Sequence, residues 1–256
     1  MNKELEQIVA EVNKIVKGKD GVIRKALAAI LAGGHVLLED IPGVGKTTLA
    51  MALGKAMELS CKRMQFTPDV LPSDIVGFTM YNSATGEFEY KKGAVFCNLF
   101  LADELNRTSS KTQSALLEVM EEAKVTVDGV SHVLPVPFTV IATENPFGSS
   151  GTQLLPESQL DRFMMKISMG YPETPADEAD IVRRMVDGEP LKKLSPVTTR
   201  DELMQIKEEV KAVAVHQDVM AYAVEITRNT RKSRYLSLGA SPRAAIALVR
   251  AAKSRA

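Results

Sequence analysis

The chain reads as an α/β protein with a three-layer αβα core around a parallel five-stranded sheet, interrupted by β-hairpin insertions and followed by a small all-α region. Three observations predict this. Short strand-like runs at residues 36–38, 62–66, 99–102, 138–142 and 166–169 alternate with segments of helical periodicity, the pattern of a buried parallel sheet. A glycine-rich turn, residues 40–48, joins the first run to a helix. From Pro172 onward only helical periodicity remains.

Leu5, Ile8, Val9, Val12, Ile15 and Val16 recur at helical spacing, and Lys17-Gly18-Lys19-Asp20 breaks the pattern before a second helix over residues 21–31. Val36-Leu37-Leu38 then forms a strand, and Leu49, Ala50, Leu53 and Met57 mark the helix beyond the glycine-rich turn. The strand at 62–66 is ended by Thr67-Pro68-Asp69. Alternation through Phe78 and Met80, turn residues at 82–86, and alternation again through Phe88 and Tyr90 predict a hairpin. Asp128-Gly129 between residues 124–127 and 130–134 predicts a second. Both are surface ribbons or devices that grip a partner. Helices are expected at 110–122, 174–186, 199–213, 218–230 and 241–252, the last with Ser241 as cap and Pro242 in its first turn. The predicted division is a nucleotide-binding core over residues 1–189 and a helical domain over 190–256.

Charge and composition exclude little. Thirty-two basic and 32 acidic residues give a net charge of zero and a pI near 6.9, which offers no support for a dominant nucleic-acid footprint. Cys61 and Cys97 lie in apolar surroundings without metal-ligand spacing and read as buried thiols of a reducing compartment. The longest apolar stretch, residues 26–38, is too short to span a bilayer and contains Gly33, Gly34 and His35. His35 is expected to cap or pack at the strand entrance. The charged first residues lack the apolar block of a signal peptide, so a cytoplasmic location is expected.

The turn itself, Asp40-Ile41-Pro42-Gly43-Val44-Gly45-Lys46-Thr47-Thr48, reads as a phosphate-binding loop. Gly43 and Gly45 permit torsions that let successive N–H groups close on phosphate oxygens, and the helix dipole adds positive potential. Lys46 would reach the terminal phosphates and the Thr47 hydroxyl would ligate Mg²⁺. The general pattern has glycine where this chain has Asp40, a carboxylate that electrostatics alone would not place near phosphate. Leu99-Phe100-Leu101-Ala102-Asp103-Glu104 is an apolar strand ending in two carboxylates: Asp103 would hold Mg²⁺, and Glu104 would polarise an attacking water. Asn145, after the next strand, suits a polar sensor of the γ-phosphate, a reading favoured over a plain Asn-Pro turn because the phosphate loop and the strand-end carboxylates precede it. Arg162 and Arg243 carry guanidinium groups that suit phosphate; read alone, each is a surface or salt-bridge arginine.

Taken together these motifs resemble the AAA+ ATPases, and within them the MoxR family. The residues that carry the resemblance are Gly33 through Asp40 leading into Pro-Gly-Val-Gly-Lys-Thr, Gln65-Phe66-Thr67-Pro68-Asp69 with Leu71-Pro72-Ser73-Asp74, Leu101-Ala102-Asp103-Glu104-Leu105-Asn106-Arg107, Gln113 through Glu118, Ala142 through Pro146, and Leu160-Asp161-Arg162-Phe163. The resemblance implies Mg²⁺-dependent ATP hydrolysis in a ring, commonly a hexamer, with ATP between subunits. Arg162 would be the arginine finger acting on a neighbour's nucleotide, Arg243 the sensor of the helical lid, and residues 16–18, Gly18 among them, would lie near adenine. Asp40 would be a family marker. Partners would be von Willebrand factor A domain proteins, in chaperone-like maturation or activation of client complexes. Because family lids continue past their sensor arginine, the lid here is expected to be incomplete and the chain to bind ATP while assembling poorly. Two other readings stand beside this one: a nucleotide-gated binding module with negligible turnover, and a nucleic-acid-dependent ATPase, disfavoured by the neutral charge and by the lack of a Gly-Ala-Phe-Thr-Gly-Ala loop.

Overall fold

Five parallel strands form the centre of the protein, in the order β2–β5–β8–β1–β9. The computed structural model describes residues 3–146, 154–172, 174–186, 188 and 190–256. The sheet strands are β1 (Val36–Glu39), β2 (Cys61–Gln65), β5 (Leu99–Asp103), β8 (Thr139–Glu144) and β9 (Met165–Ile167). Two antiparallel ribbons, β3 (Gly77–Asn82) with β4 (Glu87–Lys92) and β6 (Lys124–Val127) with β7 (Val130–Val133), are the hairpins expected from the sequence. The helices are α1 (Lys3–Asn13), α2 (Asp20–Leu31), α3 (Lys46–Ala56), α4 (Pro72–Val76), α5 (Ser110–Glu122), α6 (Glu157–Leu160), α7 (Pro175–Val186), α8 (Arg200–Ala212), α9 (Gln217–Thr230) and α10 (Pro242–Lys253).

The period-two geometry of the strands sorts their side chains into two cores. Val36 and Leu38 of β1, Leu99 and Leu101 of β5, and Ile141 of β8 join one apolar cluster with α1, α2 and α3. Leu37, Phe100, Ala102, Val140 and Ala142, one residue out of phase, join the other with α5 and Phe66. Strands buried on both faces must be apolar at every position, which is why they read as continuous runs. β2 lies at the sheet edge, so its side chains are largely exposed and its polar residues are tolerated.

The remaining elements follow local chemistry. Asp128 and Gly129 take φ of 51° and 78°, the left-handed pair a two-residue hairpin turn requires. The two ribbons touch: the ring of Tyr90 stacks on His132 with centroids 3.9 Å apart and planes 11° from parallel. Thr199 and Glu202 form a reciprocal capping box at the start of α8, and Ser241 caps α10 ahead of Pro242. Leu203 and Ile206 of α8 share the core of α1–α3, and Lys207 donates to the Ile30 carbonyl at 2.6 Å. The helices α4 and α6 were not expected, being too short to show periodicity. The first helix ends at Asn13 rather than 16, and the last strand ends at Ile167 rather than 169. Residues 187 and 189, beside the expected division at 189/190, and Met1 and Asn2 lie outside the described residues. Among the described residues no helix is long and apolar enough to cross a membrane.

His35 packs at the strand entrance as expected, and the structure gives its chemistry. Its Nδ1 accepts from the Val140 N–H at 2.9 Å, so the proton sits on Nε2, 2.9 Å from the Met120 carbonyl. Burial, with a smaller contribution from the Lys207 charge, pushes its pKa down to about 4 against the pull of the Met120 carbonyl. An unfolded histidine gains its proton near the usual value of 6.5. The stability that the neutral ring contributes is therefore complete above pH 6.5 and is lost as pH falls toward 4, by up to about 3 kcal/mol. Urea unfolding across this range should show a fall in stability that a His35→Gln variant largely lacks.

Candidate active site

The phosphate loop links β1 to α3, and Gly43 and Gly45 adopt φ of 86° and 92°, with Gly45 as the N-cap of α3. These left-handed torsions are closed to most side chains and are the kind that lets successive backbone N–H groups converge on an anion. Loop and strand ends enclose a cavity of about 340 Å³, which Lys46, Thr47 and Thr48 line from one side and Asp103, Glu104, Thr143 and Asn145 from the other. Lys46 donates to the carbonyls of Asp40 and Ile41, the latter at 3.1 Å, and so arches over the loop. Burial lowers the pKa of its ammonium from the usual lysine value, while Asp40, Asp103 and Glu104 pull the other way.

Asp40 does not face the phosphate site. Its carboxylate accepts from the Ser168 hydroxyl and Met169 N–H at 2.8 Å, from the Gly170 N–H at 2.6 Å, and from the Ile41 N–H at 2.8 Å. Burial alone would raise its pKa, and the four donors outweigh it, leaving the group below its usual value. These bonds explain why β9 stops at Ile167: the next three residues leave the sheet to bind the carboxylate. The aspartate is a tether between the phosphate loop and the chain's exit from the sheet.

The two carboxylates at the end of β5 are held differently. Asp103 is buried, and its Oδ1 accepts from Thr143 at 2.6 Å. Its Oδ2 accepts from the Thr47 hydroxyl at 3.1 Å and from Arg63 Nε and Nη2 at 3.0 and 2.8 Å. Thr47 and Asp103 thus present hard oxygen donors side by side, the donor chemistry that Mg²⁺ selects. Among the described residues no cluster of three or more His, Cys, Asp or Glu side chains could cage an ion, so phosphate and water oxygens would complete the shell. Glu104 sits in a left-handed backbone, φ 56° and ψ 49°, which costs a non-glycine residue on the order of 1 kcal/mol or more. Its N–H donates to the Thr143 hydroxyl at 2.8 Å, and its Oε2 accepts from Gln65 Nε2 and Arg107 Nη1, both at 2.7 Å. Asn145 lines the same cavity, its carbonyl accepting from Asn106 Nδ2 at 3.2 Å.

A second cleft of about 280 Å³ opens on the other side of the loop, between Val16, Lys17 and Lys19 on one wall, Pro42 and Val44 on its floor, and Tyr171 and Ile181 opposite. Gly18, with φ of 68°, turns the chain between the two lysines. The segment 16–18 expected near the base is therefore beside the loop.

Arg162 and Arg243 are elsewhere. Arg162 Nη1 lies 3.3 Å from Glu121 Oε2 and Arg243 Nη2 lies 2.6 Å from Glu121 Oε1, in a cleft that shares no lining residue with the phosphate cavity. Arg243, expected as the sensor of the lid, and Arg162, expected as the arginine finger, thus meet the same glutamate. The docking of α10, whose cap Ser241 donates to Asp161 Oδ1 at 2.6 Å, sets Arg243 beside Arg162.

Residues 35–165 match the ATPase family associated with various cellular activities (AAA). Over 98% of its length the chain is 39% identical to the chaperone MoxR1 of Mycobacterium tuberculosis, of which it covers 68%. The chain belongs to the MoxR-type AAA+ ATPases. It is also 48% identical to the uncharacterized protein YeaC of Bacillus subtilis, with 98% of this chain and 78% of YeaC covered. A crystal structure of a candidate ATPase from Cytophaga hutchinsonii superposes with a TM-score of 0.87 at 40% identity, covering 98% of this chain and 78% of that one.

As a MoxR-type ATPase the protein binds nucleotide and hydrolyses ATP. Three residues around the carboxylates escaped the sequence reading. Thr143 bridges Asp103 and the Glu104 backbone, and Arg63 and Gln65 reach the two carboxylates from β2. The available signal was positional: polar residues two apart in a strand point to one face. The tether makes its own prediction. Asp40→Ala should lower stability by about 2 kcal/mol, through donors left unpaired, and should weaken ATP binding several-fold, as read by urea unfolding and calorimetry. Asp40→Gly, which restores the general loop pattern, should behave alike.

Proposed function

We propose that this MoxR-type ATPase is an Mg²⁺-dependent ring enzyme that couples ATP hydrolysis to the remodelling or activation of a partner protein complex. The observation that carries the catalytic part is the pairing of Thr47 Oγ1 and Asp103 Oδ2 at 3.1 Å, with Glu104 on the next residue. Thr47 and Asp103 would hold Mg²⁺, which supplies charge compensation to the phosphates when bound. Phosphoryl transfer to water needs mainly positioning and charge, and the residues divide that work. Gly43, Val44, Gly45, Lys46, Thr47 and Thr48 cradle the phosphate chain. Glu104, fixed by its strained backbone and the Thr143 hydroxyl, accepts a proton from the attacking water. Asn145 orients that water against the γ-phosphate.

In the same reading Arg162 and Arg243 leave their shared Glu121 and reach the nucleotide of the next subunit, stabilising charge that develops in the transition state. Their separation from the chain's own phosphate cavity supports action between subunits, and with it a ring. The core over 1–189 would then carry the nucleotide and the helices over 190–256 would serve as a lid whose first turn of α10 faces the neighbour. The two stacked hairpins, with exposed Tyr81 and Phe88 in edge-to-face contact at 5.4 Å, are the surface proposed to meet the partner. A protein with a von Willebrand factor A domain is the partner class that the MoxR resemblance favours; the name of the 39% identical relative, a chaperone, supports the remodelling role.

Phosphate-release assays test the chemistry. Lys46→Ala should abolish turnover by removing ATP binding, whereas Glu104→Gln should lose at least about a hundredfold in rate while still binding ATP. Normal turnover in both would refute the mechanism. Action between subunits has a separate signature: Arg162→Ala and Lys46→Ala, each inactive alone, should regain activity when mixed, because the intact loop of one meets the intact arginine of the other. Mixtures that stay inactive would argue for a site completed within one chain.

A further inference from the structure

We propose that Arg63 is a resident counter-cation of Asp103 that must swing away before a divalent ion can be held there. This rests on the reading of Thr47 and Asp103 as the metal-holding pair. A carboxylate offers about four lone-pair positions. On Asp103 they are unevenly used: Thr143 donates to Oδ1, whereas the Thr47 hydroxyl, Arg63 Nε and Arg63 Nη2 all donate to Oδ2, three donors on an oxygen with two lone pairs. An ion on Oδ2 needs one of those positions. The Thr47 hydroxyl can rotate and turn a lone pair toward it, but a guanidinium is always charged and has no acceptor to offer. Arg63 and the ion therefore exclude each other. The arginine has somewhere to go, since its side chain is 49% exposed and β2 is an edge strand.

The same guanidinium fastens the second carboxylate. Arg63 Nη2 also donates to Gln65 Oε1 at 3.0 Å, and the Gln65 amide donates through Nε2 to Glu104 Oε2 at 2.7 Å. Residues 63 and 65 share one face of β2, so the two side chains form a bridge from the metal-side carboxylate to the water-side one. With Arg63 on Asp103 the glutamine is oriented toward Glu104 Oε2, which also accepts from Arg107.

The test measures Mn²⁺ binding by electron paramagnetic resonance, in the presence of ADP, on the full chain. Arg63→Met keeps the stem and removes the charge. It should bind Mn²⁺ roughly fivefold to tenfold more tightly than the wild type, the ratio corresponding to one partly exposed charge-assisted pair, while ADP affinity in EDTA stays unchanged. Arg63→Gln should repeat the effect. Equal or weaker Mn²⁺ binding in both variants would overturn the proposal. So would a loss of metal-free ADP affinity, which would make the guanidinium a phosphate ligand. Asp103→Asn separates the underlying reading: it should lose Mn²⁺ affinity, and if it binds Mn²⁺ as the wild type does, the metal assignment itself falls and the role of Arg63 with it.

Discussion

One buried carboxylate organises the site. Asp103 accepts hydrogen bonds from β8 through Thr143, from the first turn of α3 through Thr47, and from β2 through Arg63. Three neighbouring elements are thereby registered on one strand end, at the edge of a parallel sheet where every strand's carboxyl end points the same way. A charge buried to this degree is tolerable because both of its oxygens are hydrogen-bonded. Oδ2, with three donors, is the crowded one, and a further ligand there must displace a donor already present.

The fold was legible because its signals were redundant. Strands buried on two faces cannot hide in sequence, and the phosphate loop carries both its glycines and its flanking strand and helix. Lys46, Thr47, Glu104 and Asn145 line one cavity. What escaped was set by tertiary contact. The pairing of Arg243 with Glu121 is one case: the residue has a helical address in the sequence, but what it meets depends on how Ser241 reaches Asp161 across 80 positions of chain. Arg63 and Gln65 look like the exposed half of an edge strand, and only the pairing of β2 with β5 brings them to the carboxylates. Asp40 was misread for a related reason: proximity in sequence to a phosphate loop suggested proximity to phosphate, whereas the backbone turns its carboxylate toward Ser168, Met169 and Gly170.

His35 illustrates how the same sheet is secured at its far end. Its ring receives a proton from β8 and gives one to the last turn of α5, so the entrance of β1 is fixed to both neighbours by a group that must stay neutral. The catalytic edge is held by a hydrogen-bonded charge and the opposite edge by an uncharged ring, with apolar layers between them.

The Asp40 tether has a mechanical meaning. The residues it grips lie on the stretch that leads from β9 into α7 and on toward the helices that carry Arg243. A phosphate loop with glycine at that position is a hinge free at one side; with aspartate it is spliced to the outgoing chain. One carboxylate in place of a hydrogen atom thus adds three hydrogen bonds between the phosphate loop and the chain that leads out of the sheet.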